Sequence, residues 1–189
     1  QNTKRGGVGA GSTVAIIGAG PIGLMNALFC RMRGATAIIV AGKHKRRLDV
    51  ARTCGATSIL DVDNVDVRLE VADLTAGRGA DVVIDCTGAV AGLQVAPELV
   101  KAGGTIVMVG MPPDDIVALN VTKLIWKEVS VVTSFRYNNC FPTVIRALSN
   151  RQIEVDSCIT HEFPLVELES AFHYVIEHRD EVIKAVVKV

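Results

Sequence analysis

The stretch that most constrains the fold of this chain is residues 13–33. It opens with the apolar run Thr13-Val14-Ala15-Ile16-Ile17, continues with Gly18-Ala19-Gly20-Pro21-Ile22-Gly23, and ends in the helix-compatible segment 24–31. β-branched residues favour strands, and proline is well tolerated in the first turn of a helix. The stretch therefore predicts a buried strand, a tight glycine turn and a helix, in that order.

The three glycines of this turn have the spacing G-x-G-x-x-G, which is the dinucleotide-binding fingerprint. Gly18 allows the tight turn, Gly20 lets the backbone approach a pyrophosphate, and Gly23 lets the helix pack close to the strand. The free N–H groups and the positive end of the helix would then face the phosphates. The spacing predicts a dinucleotide site.

The same stretch allows two other interpretations. Residues 12–30 carry no charged side chain, so hydropathy alone would favour a membrane span. A proline and three glycines in the middle make one continuous helix a poor fit, and the β-branched start suits a buried strand. A glycine turn that binds nothing is the second alternative, so the rest of the chain has to support the site.

Composition is consistent with one α/β domain. The 189 residues are 49% hydrophobic but only 4% aromatic, as expected for a parallel sheet covered by helices on both faces. The formal net charge is zero, so neither nucleic acid nor an anionic membrane is favoured as a partner. The five cysteines are widely spaced, without a C-x-x-C pair, which indicates reduced thiols and a cytoplasmic location.

Strand-like and helix-like segments alternate up to residue 149, which predicts a doubly wound parallel sheet of the Rossmann type with strand order 3-2-1-4-5-6. The predicted strands are residues 13–17, 35–41, 57–60, 81–86, 105–110 and 129–134. The predicted helices are residues 24–31, 43–54, 65–76, 89–101, 121–127 and 142–149, with Gly103-Gly104 ending the segment 89–101.

The two ends of the chain fit this alternation less well. Residues 1–11 are polar and glycine-rich, and are expected to be a lead-in segment. Residues 1–156 are predicted to form the dinucleotide-binding domain, and residues 157–189 a strand-helix-strand tail. This tail could be an edge of the sheet, or it could return toward a second, catalytic domain that the sequence lacks.

The loop after the second strand predicts which dinucleotide binds. An NAD-binding unit usually has an acidic residue there for the ribose hydroxyls, but this chain has Gly42, followed by Lys43-His44-Lys45-Arg46-Arg47. Nothing there repels a 2′-phosphate, and several cations could bind it. Cations at a helix N-terminus oppose the helix dipole, so a bound phosphate would compensate for them. The pattern favours NADP over NAD; the alternative is a solvated first turn of a helix.

Several motifs resemble the medium-chain dehydrogenase/reductase superfamily. They are the glycine turn and the segments Asp85-Cys86-Thr87-Gly88, Gly103-Gly104-Thr105, Val109-Gly110-Met111, Ser134-Phe135-Arg136-Tyr137 and Thr160-His161-Glu162-Phe163-Pro164-Leu165. The segment Phe135-Arg136-Tyr137 resembles the zinc-type polyol (sorbitol/xylitol) dehydrogenases and ketose reductases. The loop after the second strand is similar to that of the NADP-dependent ketose reductases.

This resemblance implies an oxidoreductase that moves a hydride between a sugar polyol and its ketose. Lys43 with Arg46 or Arg47 would hold the 2′-phosphate, while Phe135 and Arg136 would lie near the nicotinamide and the substrate. The expected cofactor-binding residues are Gly18, Gly20, Pro21, Ile22, Gly23, Gly42, Lys43, Arg46, Arg47, Cys86, Thr87, Val109, Gly110, Met111, Ser134, Phe135 and Arg136.

The resemblance also sets out what lies outside this sequence. The family's catalytic zinc is held in an N-terminal domain that is absent here, so neither catalytic nor metal-binding residues are expected in this chain. Family members pair through strand 6, which implies a dimer or tetramer. The alternative functions are another branch of the superfamily, such as an alcohol or threonine dehydrogenase, and a non-catalytic NADPH-sensing module.

Overall fold

The computed structural model describes residues 1–189 and contains a six-stranded parallel sheet. Its order is β3-β2-β1-β4-β5-β6, which confirms the predicted doubly wound topology. The strands are β1 Thr13–Ile17, β2 Ala37–Gly42, β3 Ser58–Asp61, β4 Ala80–Asp85, β5 Val100–Met108 and β6 Ser130–Thr133.

Helices cover both faces of this sheet. The helices of the whole chain are α1 Asn2–Arg5, α2 Pro21–Met32, α3 Lys45–Thr53, α4 Val67–Leu74, α5 Val90–Leu99, α6 Val121–Trp126, α7 Phe141–Ser149 and α8 Leu168–Glu177, of which α8 packs on the last strands of the chain. None of these helices combines the length and the apolar character that crossing a bilayer would require.

Alternate residues of the central strand point into two separate cores. Val14 and Ile16 pack with Leu24 of α2 on one face of the sheet. Ala15 and Ile17 pack on the other face with the cluster that includes Leu99 of α5. Because both faces of β1 are buried, its sequence is continuously apolar instead of alternating between apolar and polar. Because the central strands pair in parallel, their carboxyl ends all lie at one edge of the sheet.

The fifth strand begins earlier than the sequence predicted. Helix α5 ends at Leu99 and β5 starts at Val100, so the predicted helix 89–101 is too long and the predicted strand 105–110 starts too late. The pairing between β4 and β5 shifts register between Ala80 and Val82. Gly103 and Gly104 lie in this irregular part of the strand, where Gly103 has a φ of +68°. They therefore mark a bulge, not the end of a helix.

The first residues belong to the fold and are not a separate lead-in. Helix α1 is followed by Val8, which is buried in the core that contains Leu24. The Arg33 Nε atom donates a hydrogen bond to the Val8 carbonyl oxygen at 2.7 Å. The burial of Val8 was not predicted because glycines surround it in the sequence.

The last part of the chain forms a small sheet of its own. Strands β7 (Ile159–Pro164) and β8 (Lys184–Lys188) pair in parallel with each other, and α8 connects them. They do not extend the six-stranded sheet, which removes the sheet-edge alternative. Together with the 3-10 turn Asp156–Cys158, we call residues 156–188 the C-terminal unit. It contacts α3, and the domain boundary after residue 156 stays a prediction.

Candidate functional site

A cavity of about 640 Å³ lies at the carboxyl ends of the central strands. It is lined by the turn after β1, the turn after β2, the loop between β3 and α4, and the turn after β4 with the first turns of α5. This is where strand order reverses in a doubly wound sheet, and it is the usual place for a ligand. We call this cavity the crevice.

The glycine turn builds the floor of the crevice. Gly18 has a φ of +107°, a backbone conformation that residues with a Cβ atom rarely adopt. A Cβ at Gly23 would lie 1.8 Å from the Gly18 carbonyl oxygen, so only glycine lets α2 start this close to β1. A Cβ at Gly20 would meet nothing within 4 Å. The space beside Gly20 is open and matches the close approach that a pyrophosphate needs.

The start of α2 is suited to an anion. Its N-cap residue is Gly20, no side chain caps the helix, and Pro21 occupies the first turn. The N–H groups of the first turn have no partner inside a helix, and they attract phosphate together with the helix dipole. Pro21 and Gly23 shape this helix start, and Ile22 is half exposed beside it.

The end of β2 cannot hold the carboxylate of an NAD-type site in its present geometry. A Cβ at Gly42 would lie 2.7 Å from the Ala19 Cβ and 2.9 Å from the Ala19 nitrogen. The next residue, Lys43, lines the crevice, and its Nζ atom lies 3.0 Å from Asp63 Oδ1. Both side chains of this ion pair are 60% exposed, so they can exchange partners readily.

The two arginines of the basic run have different surroundings. Arg46 is exposed in the first turn of α3. Arg47 lines the crevice, but its Nη2 group donates to the carbonyl oxygens of Arg179 and Val182, the latter at 2.9 Å. Burial lowers the pKa of Arg47, and the nearby Asp180 carboxylate acts in the opposite direction. Arg47 therefore ties α3 to the C-terminal unit.

Asp85 organises the turn after β4, which lines the crevice, and the turn after β5. Its fully buried carboxylate accepts hydrogen bonds from Thr87 Oγ1 at 2.7 Å and from the Gly88 nitrogen at 3.1 Å. Its carbonyl oxygen accepts hydrogen bonds from the nitrogens of Val109 and Gly110 at 3.0 and 3.1 Å. A buried carboxylate needs such partners. This role of Asp85 was not predicted from the sequence, although an acid at the end of an apolar strand could have indicated it.

A second cavity, of about 310 Å³, lies beside the turns after β5 and β6. Val109, Gly110, Met111, Ser134 and Phe135 all contribute to its lining. Ser134 is buried, and its hydroxyl oxygen has no hydrogen-bond partner within the chain. The predicted residues of this region are therefore brought together, and they include one polar atom available to a ligand.

Arg136 lies beside this second cavity but is not part of its lining. It is exposed, has a φ of +53°, and places its guanidinium carbon 5.0 Å from the centroid of the Phe135 ring. Such a cation–π contact holds the side chain against the ring.

Cys86 lines the crevice as an inert thiol. Burial raises its pKa above the ordinary range, and the nearby Asp85 carboxylate adds to this shift. The Asn26 side chain donates a hydrogen bond to its sulfur at 3.5 Å. A protonated thiol is a weak nucleophile, so Cys86 contributes shape to the crevice and not covalent chemistry.

The chain offers no site for the zinc ion that the resemblance implies. Nowhere do three or more His, Cys, Asp or Glu side chains come close enough together to hold a metal ion. Zinc in proteins needs three or four such ligands. The residues present do not fit the metal, and we assign no chemical step to it.

Comparison with known proteins identifies the family. The family of zinc-binding dehydrogenases matches residues 21–150 of this chain. The sorbitol dehydrogenase of Bacillus subtilis (strain 168) is 33% identical over 177 residues, which are 94% of this chain and 50% of the relative. The chain spans about half the length of the curated relatives it matches. The chain belongs to the zinc-binding dehydrogenase family.

Solved structures agree with this assignment. An oxidoreductase of unknown specificity from Escherichia coli superposes with a TM-score of 0.94 at 33% identity, over 100% of this chain and 54% of its own. A Sinorhizobium meliloti 1021 protein, bound to NADP in its crystal structure, gives a TM-score of 0.91 at 30% identity, covering 99% and 55%. A short chain alcohol dehydrogenase of Escherichia coli CFT073, complexed with NADH, gives 0.86 at 26%, covering 97% and 54%. Relatives of this chain thus hold either dinucleotide.

Two glycine substitutions separate the two roles of the turn. We expect Gly23→Ala to destabilise the fold by about 1–3 kcal/mol or more, because its Cβ would overlap the Gly18 carbonyl oxygen. We expect Gly20→Ala to destabilise the fold by about 1 kcal/mol or less, since its Cβ enters open space and only the preference for glycine over alanine at an N-cap is lost. Urea denaturation of both variants measures this. Equal losses at the two positions would contradict the described turn.

Proposed function

We propose that this chain is the NADP(H)-binding part of a zinc-type oxidoreductase that interconverts a sugar polyol and its ketose. The observation that carries the proposal is the end of β2, where Gly42 leaves no room for a carboxylate and Lys43 enters the crevice. The glycine turn would hold the pyrophosphate, with the free N–H groups of α2 and the open space at Gly20 facing it.

The 2′-phosphate of NADP would bind between Lys43 and Arg46. A hydrogen bond to a charged group contributes about 1.5–3 kcal/mol, so two cations could favour NADP strongly. We omit Arg47 from this pair, because its guanidinium already donates to carbonyl oxygens of the C-terminal unit. Asp63 would oppose binding twice: it neutralises Lys43 in the free protein, and it places a second negative charge near the phosphate.

The nicotinamide would extend from the crevice toward the second cavity. The nicotinamide ring would rest on the turn at Thr87, which Asp85 holds in place. It would also contact Val109, Gly110 and Met111. The unpaired Ser134 hydroxyl would hydrogen-bond its carboxamide, and Phe135 and Arg136 would lie beside the substrate. The nicotinamide, when bound, supplies or accepts the hydride. The residues of this chain position it and exclude water from its apolar side.

The substrate of the complete enzyme would be a sugar polyol. This substrate class is supported by the segment Phe135-Arg136-Tyr137 and by the similarity to a sorbitol dehydrogenase. The zinc ligands of the complete enzyme would lie in residues outside this chain. We also propose that the complete enzyme is cytoplasmic.

We also propose that two copies of the chain associate along β6. This strand lies at the edge of the sheet, so one row of its backbone N–H and C=O groups is available for pairing. In α6, the helix that precedes β6 in the chain, Trp126 is 81% exposed and Ile125 is 68% exposed. These side chains add an exposed apolar surface.

A charge placed on this edge tests the association. We expect Val131→Lys to shift the sedimentation profile toward monomer, because the charge would lose its water at the paired edge. The matched control is Leu69→Lys, another exposed apolar position. Leu69 lies on α4, which follows β3, and β3 is the edge strand opposite to β6. If both variants sediment like the unchanged chain, the edge is not the interface.

Calorimetric titration with NADPH and NADH tests the dinucleotide site. We expect the unchanged chain to bind NADPH more tightly, and Lys43→Ala to weaken NADPH binding at least about tenfold with little change for NADH. Asp63→Asn should tighten NADPH binding several-fold, because it frees Lys43 and removes a repulsive charge. Gly20→Ala should weaken both dinucleotides alike, since both carry the pyrophosphate.

Asp49→Asn is the matched control for Asp63→Asn. It removes the same charge from another exposed ion pair, Lys45–Asp49, on the same helix as Arg46. It should leave the ratio of the two affinities unchanged. Equal affinity for both dinucleotides in the unchanged chain would refute the phosphate site but keep the crevice; no binding of either would refute the crevice.

A further inference from the structure

Two cysteines that are far apart in the sequence meet in the core. The Cys54 and Cys158 sulfurs lie 3.6 Å apart, although the residues are 104 positions apart in the chain. Cys54 caps the C-terminal end of α3, and Cys158 closes the 3-10 turn that opens the C-terminal unit. No other pair of cysteine sulfurs in the chain makes such a contact. A small movement of either segment would bring these sulfurs to bonding distance.

We propose that Cys54 and Cys158 are a site of oxidative modification, where a hydroperoxide converts the two thiols into a reversible disulfide. The bond would tie α3 to the C-terminal unit. It would join two segments that already meet at the other end of α3, where Arg47 donates to the carbonyl oxygens of Arg179 and Val182.

The surroundings make Cys54 the attacking sulfur. A hydrogen bond from the Cys158 thiol, with smaller contributions from the hydroxyls of Ser157 and Thr53, lowers the pKa of Cys54 to about 7, against the raising effect of burial. The same contact raises the pKa of Cys158. The thiolate is the reactive form of cysteine, so the pair contains one nucleophile and one protonated partner.

The chemistry balances with hydrogen peroxide as the only oxidant. The Cys54 thiolate attacks one peroxide oxygen, the O–O bond breaks, and hydroxide leaves, which gives a sulfenic acid on Cys54. The Cys158 sulfur then attacks the Cys54 sulfur, the S–O bond breaks, and the oxygen leaves as water with the Cys158 proton. Two thiols lose two electrons and two protons, and one peroxide becomes two waters.

The two buried cysteines have exposed neighbours in the chain through which peroxide could reach them. Cys54 is 0% exposed and Cys158 is 2% exposed, but the residues beside them, Thr53 and Ser157, lie at the surface. The Thr53 hydroxyl donates a hydrogen bond to the Ser157 hydroxyl oxygen at 3.3 Å. Each cysteine therefore adjoins an exposed residue in the chain, at the end of a helix and in a single turn, where local opening is easiest.

Peroxide treatment followed by peptide mapping tests the proposal. The chain is exposed to hydrogen peroxide, its remaining thiols are alkylated, and it is digested with trypsin without reduction. We expect peptides 53–68 and 152–179 to be joined by a bond that dithiothreitol breaks. The oxidised chain should also melt at a higher temperature than the reduced one, because the bond closes a long loop of the unfolded chain.

Two variants identify the order of events. In Cys158→Ser, whose hydroxyl can still donate a hydrogen bond to Cys54, the Cys54 sulfenic acid should persist and be trapped by dimedone, with no cross-link formed. In Cys140→Ala, which changes a half-buried thiol outside the pair, the cross-link should form as before. Oxidation of Cys54 or Cys158 without a mutual bond would overturn the proposal. So would an unreacted pair under conditions that oxidise Cys140 in the unchanged chain, a result that does not depend on the folding of any variant.

Discussion

The rest of the structure depends on the close contact between the start of α2 and the end of β1. Gly23 approaches the Gly18 carbonyl oxygen so closely that no side chain fits between them. This contact sets how near α2 lies to the sheet, and so how Leu24 enters the core beside Val14 and Ile16. It also leaves the first N–H groups of α2 facing the open space at Gly20. One local constraint thus supports both the packing of the fold and the anion site.

Helix α3 is the second organising element. It begins shortly after Lys43, which lines the crevice, and it holds the C-terminal unit through Arg47 near its start and Cys54 at its end. A change in how the C-terminal unit sits would therefore be transmitted to the residues after β2. The two proposals meet here, because a disulfide at Cys54 would fix the helix from which Arg46 projects. They remain independent, since each rests on its own contacts.

The topology and the glycine turn could be predicted because they follow from local rules. β-branched runs, glycine spacing and strand-helix alternation depend on near neighbours in the sequence, and the predicted strand order was confirmed. The predicted start of β5 was wrong because a bulge tolerates glycines that would otherwise end a helix. Val8 was missed because a single apolar residue among glycines has no periodicity to indicate burial.

The candidate site was predictable by residue type but not by contact. The sequence placed Lys43, Arg46 and Arg47 in one basic run and could not separate them. Only the fold shows that Arg47 is engaged by residues 179 and 182, and that Asp63 competes for Lys43. The role of Asp85 and the meeting of Cys54 with Cys158 also depend on distant segments. Pattern alone carries no information about such pairs.

The crystal structure of the chain with bound NADPH tests the central claim most directly. We expect the pyrophosphate to lie against the first N–H groups of α2, beside Gly20. The 2′-phosphate should lie within hydrogen-bonding distance of Lys43 Nζ, with the Lys43–Asp63 pair broken. A 2′-phosphate that faces solvent while Lys43 stays paired with Asp63, or a dinucleotide bound outside the crevice, would contradict the account.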